Sequence, residues 1–202
     1  MGRRDRQERL QQCRSGSWGT ISTDLICLVE RLFRLSKADA AASEDGNLSK
    51  FAYAGIPLLL AALRSFIIEQ ESIGRLTPPP LEVDSDNLIE LLRSRYGIAE
   101  PLLEDARLLC EIRNEIIHPN PLPPGTTDNW PAYLREIKER GLLTSTGRPD
   151  GDYIMYAQIA SHRLFAWAVK VTRSMFQAVA DSEPMRGKLV QGFVDNFDAF
   201  ES

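Results

Sequence analysis

Leu58–Glu71 reads LLLAALRSFIIEQE, and it decides what kind of fold this chain can form. Its first turns are apolar nearly all the way round, a pattern suited only to a helix covered on every side. The stretch therefore belongs at the centre of a helical bundle. It lies within an apolar segment from Leu48 to Ile73 that contains Pro57, whose missing N–H predicts a kink or a restart. The longest apolar run, Ile56–Leu63, is broken by Arg64 and falls short of the roughly 18 residues that a membrane span requires.

Helical periodicity continues on both sides. Ile21, Leu25, Leu28, Val29, Leu32 and Leu35 recur at steps of three and four beside the capping cluster Ser22-Thr23-Asp24. This predicts a helix over 21–37, followed by a polar linker over 38–47. Pro78-Pro79-Pro80 breaks the chain after the central segment. Ser85-Asp86 then caps the short helix NLIELLRSRY, which stops at Gly97. A further helix is expected from Glu100 to Ile117. Five prolines between 119 and 131 mark the loop after it, and Pro131 opens the short helix AYLREIKERG, closed by Gly141. The segment 142–156 has turn residues between two apolar runs and reads as a small hairpin. A long amphipathic helix is expected from Tyr153 to Asp181, ended by Pro184, with a last helical stretch KLVQGFVDNFDAF. The expected organisation is a basic arm or helix over 1–19, an all-α up-and-down bundle over 20–182, and a helical extension over 183–202.

Composition narrows the function classes. The chain has 202 residues, 43% hydrophobic and 26% charged, enough for a real core. Its formal charge of −4 argues against a general polyanion-binding surface. The charge is uneven, because residues 1–14 hold five arginines against two acids, a local +3 that leaves −7 for the rest. This arm, with Arg3, Arg4 and Arg6, reads first as a solvated chain end and second as a contact for RNA phosphates. Cys13, Cys27 and Cys110 have no metal-ligand spacing, and the latter two sit among Leu and Ile as small hydrophobes. These features lead us to expect a reducing cytoplasm and neither metal nor cofactor. The N-terminus lacks the apolar core of a signal peptide, and Arg6 stands where a myristoylation signal wants Ser or Thr. No phosphate-cradling GxxxxGK[ST] run is present.

The helix 100–117 carries the chemistry. Its end, with the loop after it, reads CEIRNEIIHPNP over Cys110–Pro121. On a wheel of roughly 100° per residue, Leu102, Ala106, Leu109, Ile116 and Ile117 share one broad side, with Arg113 near its middle. An unpaired guanidinium on a buried face costs several kcal/mol. Arg113 must therefore pair with a buried carboxylate, snorkel to the surface, or line a cleft or subunit interface where an anion binds. Asn114 and His118 lie one turn apart towards the opposite side. Pro119 and Pro121 stop the helix and hold the imidazole in place, near carbonyls that favour its charged form. Elsewhere, His162 on the long helix reads as structural, Trp130 and Tyr133 as pins for the loop, and Arg163 and Arg173 as solvated charges.

Arg113-Asn114, three residues, then His118 is an R-N-x-x-x-H pattern at the end of a central helix. It resembles the signature of the HEPN superfamily: an Arg, four to six residues, then a His, often with a polar residue directly after the Arg. The resemblance covers residues 20–180 as an architecture and six residues as a motif. It implies a HEPN-like bundle and a metal-independent endoribonuclease acting as a homodimer, with two motifs meeting in one cleft. It also implies a toxin–antitoxin or other defence role, with any antitoxin on a separate chain and no membrane partner. Arg113, Asn114 and His118 are then the catalytic residues. The chemistry suits them, since His moves a proton during attack of a ribose 2′-OH and Arg stabilises the phosphorane-like charge. The alternative is a non-catalytic HEPN-like interaction or sensor module. A helical ligand-binding regulator ranks below both.

Overall fold

The computed structural model describes residues 21–72, 85–119, 130–144, 158–182 and 200. Among these residues the chain is all-helical: α1 Ile21–Ala42, α2 Ala52–Ser72, α3 Ser85–Ser94, α4 Glu100–Ile117, α5 Ala132–Glu139 and α6 His162–Ser182. The expected N-terminal arm and the C-terminal extension lie outside the described residues, apart from Phe200. So does most of the expected 142–156 hairpin.

α2 is the central helix, as its all-round apolar sequence demands. Ile56, Leu59, Leu63 and Ile67 are fully enclosed, and α2 packs against α1, α4 and α6. By length and composition Ala52–Gln70, at mean hydropathy 1.5, would suffice to cross a bilayer. In this fold it instead forms the middle of the bundle core. The helix runs unbroken through Pro57 rather than restarting there. Gly55 permits the close crossing of α2 and α6, since the Phe165 ring occupies the space where a Cβ would sit.

Two helix boundaries differ from expectation, and the apolar segment begins ahead of its helix. Ala38–Ala42 continue α1 instead of forming a linker. Alanine is the best helix former, and Ala40 is buried. On the other side of Gly46, Leu48–Phe51 is not helical, and Leu48 forms an isolated antiparallel bridge with Ser161. The long helix begins at His162, not Tyr153. Its start is set by a residue distant in sequence: Asn47 Oδ1 accepts the Arg163 N–H at 2.8 Å. The Ser161 hydroxyl lies 3.1 Å from the same oxygen and accepts the Leu164 N–H at 3.2 Å. Ser161 thus acts as an N-cap whose geometry Asn47 enforces. The short helices end where glycine allows it. Gly97 (φ 63°) closes α3, with its N–H on Arg93 O and the Ile98 N–H on Leu92 O, the paired bonds of a left-handed C-cap.

Candidate functional site

α4 spans Glu100–Ile117, the range its sequence predicts. Its stop also follows from sequence, because a residue before proline disfavours helical geometry. His118 leaves the helix at φ −127°, ψ 69°, while its N–H still bonds Asn114 O at 2.7 Å. The last turn is thereby fixed in place with His118 as its terminal residue.

The broad apolar side of α4 exists, but both ends emerge from the core. Leu103, Ala106, Leu108, Leu109, Cys110 and Ile112 are buried. Leu102 and Ile116 are only partly covered, and Ile117 is 44% exposed. Arg113 lies where that face opens, so it is half-buried rather than enclosed. The wheel placed its angle correctly and could not show where the core ends.

Of the three roles open to Arg113, pairing with a buried carboxylate is not the one taken among the described residues. The buried acid of α4 is Glu115, a residue the sequence gave no reason to single out. Its Oε2 accepts the hydroxyl of Tyr133 on α5 at 2.5 Å. Arg113 instead donates from Nη1 to Asn114 Oδ1 at 2.9 Å. Its side chain also lines a cleft of about 40 Å³ between α2, α3 and α4. Pro57, Leu60, Ala61, Leu88 and Cys110 wall this cleft, and a second guanidinium, Arg64, stands on the α2 side.

The structure therefore joins Arg113 to Asn114 directly and places His118 one turn further, exposed. Among the described residues the His118 ring bonds to neither of them. Arg3, Arg4 and Arg6 lie outside the described residues. Trp130 and Tyr133 pack against the core, with Lys138 Nζ 5.4 Å from the Trp130 ring centre. Among the described residues no group of three or more His, Cys, Asp or Glu side chains is placed to hold a metal ion.

Compared with protein-family models, curated proteins and solved structures, the chain matches none.

The other histidine sits in a different setting. His162 Nδ1 lies 3.0 Å from Ser36 Oγ, and its ring is 5.0 Å from that of Phe33. Burial, with Lys37 nearby, pushes its pKa down. Ser36 and Ser161 are both completely buried, so neither hydroxyl can meet a substrate. This cluster ties α1 to α6. Asp45 forms a second tie: it accepts from Thr144 Oγ1, Ser43 Oγ and the N–H groups of Asn47 and Leu48. Its partial burial works against ionisation, but these hydrogen bonds prevail and hold its pKa at about 2.

Proposed function

We propose that the protein is a metal-independent endoribonuclease of HEPN type, working in the cytoplasm as a homodimer. Its setting would be a toxin–antitoxin or other defence system, with any antitoxin on a separate chain. One observation carries this reading. The end of α4 presents Arg113 and Asn114, hydrogen-bonded to each other, with His118 one turn on and open to solvent. These residue types match one reaction. His118 takes the proton of a ribose 2′-OH as that oxygen attacks the adjacent phosphorus. The bond from phosphorus to the 5′-oxygen breaks, leaving a 2′,3′-cyclic phosphate. Arg113 stabilises the charge that builds on the phosphoryl oxygens, and Asn114 orients the guanidinium. The leaving 5′-oxygen needs a second proton donor, which His118 of a second copy supplies when two motifs face each other. The exposed edge of α4 leaves room for that arrangement.

Incubating the purified protein with RNA in EDTA, beside His118→Ala, tests the proposal. Cleavage should persist with the chelator and disappear with the substitution. Cleavage that requires added metal, or that survives His118→Ala, overturns it.

A second reading, a non-catalytic interaction or sensor module, draws on the His118 ring, which within one chain bonds to neither Arg113 nor Asn114. A structure of the dimer separates the two. Histidine rings facing different solvent regions leave only the second.

A further inference from the structure

A charged residue in the middle of the central apolar helix needs a cause. Arg64 shares one face of α2 with Pro57, Leu60 and Ala61, at the spacing that aligns residues along a helix. From there it lines the same cleft as Arg113. Both arginines are half-buried. Four other guanidinium groups stand beside acids: Arg34 with Glu30, Arg93 and Arg107 with Glu100, and Arg140 with Asp105 and Glu136. Among the described residues neither Arg64 nor Arg113 meets a carboxylate. Two acids on their own helices are engaged elsewhere. Glu69 of α2 accepts the backbone N–H and hydroxyl of Ser22, and Glu115 of α4 accepts Tyr133.

Two like charges facing one apolar-walled cleft repel each other, and an anion seated between them turns that repulsion into attraction. Low local polarity strengthens that attraction. The cleft's volume of about 40 Å³ equals about three waters at 10–15 Å³ each. That admits the inward-facing oxygens of a tetrahedral oxyanion seated at the cleft's mouth. Guanidinium groups suit such a ligand, since each presents several donors in a fixed fork.

We propose that Arg64 and Arg113 together form a phosphate-binding site, and that its ligand is a phosphodiester of the nucleic-acid strand. The choice of strand rests on the ribonuclease reading; the anion site does not. Arg64 is then a positioning residue, anchoring the strand on α2 while His118 acts at the end of α4.

The test is an NMR titration of the arginine Nε–Hε signals of the full chain with inorganic phosphate at constant ionic strength. Acetate and a thymidine tetranucleotide, which lacks the 2′-OH and is not cleaved, serve as comparison ligands. Saturable shifts of both Arg64 and Arg113 with phosphate are expected, with the tetranucleotide competing. Arg64→Gln should weaken phosphate binding about tenfold, the size expected for losing a charge-assisted contact, and leave the melting curve in place. Arg64→Lys, which keeps the charge, should retain part of the affinity and covers the case in which the Gln variant does not fold. No saturable shift, equal binding of acetate, or unchanged affinity in Arg64→Gln overturns the site. In RNA cleavage Arg64→Gln should raise KM more than it lowers kcat. Arg64-dependent phosphate binding without RNA cleavage keeps this site and removes the nuclease. Cleavage without phosphate binding does the reverse.

Discussion

Replacing Gly55 by alanine separates tertiary packing from helix propensity, because the two predict opposite signs. Propensity alone favours alanine in a helix by about 1 kcal/mol. Packing opposes it. An ideal Cβ at position 55 lies 2.5 Å from Phe165 Cε1 and Cε2 and closer still to Cζ. Phe165 is completely buried, with the Phe33 ring centre 5.4 Å from its own, so it has no free space to turn into. Inserting atoms into such a site costs roughly 1–3 kcal/mol, and this one belongs at the upper end. We expect a net loss of about 2 kcal/mol after the propensity gain. For a chain of this size that lowers Tm by about 4–8 °C. Urea denaturation of the wild type, Gly55→Ala, Phe165→Leu and the double variant measures it. The double variant should lose at least about 1 kcal/mol less than the sum of the singles, because the smaller side chain makes room. A Gly55→Ala protein as stable as the wild type, or more so, would refute the close crossing of α2 and α6.

Three further outcomes follow from individual side chains. Asp45, held at about 2 against an ordinary 3.8, contributes stability that is complete above 3.8 and lost as pH falls towards 2. The shift sets a ceiling of about 2 kcal/mol, which solvent screening at this surface loop reduces to about 1 kcal/mol. Asp45→Asn should therefore melt lower than wild type at pH 7, with the difference closing near pH 2. The lowered pKa of His162, caused by burial and Lys37, has the same proton bookkeeping in a higher pH window: stability is complete above the ordinary 6.5 and declines as pH drops below it. Melting curves of His162→Gln should consequently show a weaker loss of stability between pH 6.5 and pH 5 than the wild type. Thr172 is fully buried, and among the described residues its hydroxyl has no hydrogen-bond partner; Thr172→Val should raise stability by about 1 kcal/mol in urea titration, and a loss would show that the hydroxyl is satisfied.

Local sequence pattern settles the helical class, the central position of Leu58–Glu71, and the limits of α4. Each depends on neighbours within a few residues: an apolar stripe, a proline, or a glycine that tolerates a left-handed turn. The start of α6 was not legible in this way. Asn47 caps it across more than a hundred residues, and no local pattern announces such a partner. The continuation of α1 through Ala42 was hidden for a related reason, since a polar composition conceals the one alanine that the core covers.

The candidate site divides along the same line. Arg113, Asn114 and His118 could be named from spacing, because residues on one helix end are placed by helix geometry alone. Their surroundings could not. Whether a half-buried guanidinium meets an acid depends on which other helices pack beside it. Only the tertiary structure gave Glu115 to Tyr133, gave Glu69 to Ser22, and set Arg64 on the same cleft as Arg113. A wheel gives a side chain's direction, whereas burial and partners depend on how far neighbouring helices extend. That is why an Arg that looked misplaced on the apolar face of α4 stands at the mouth of a cleft.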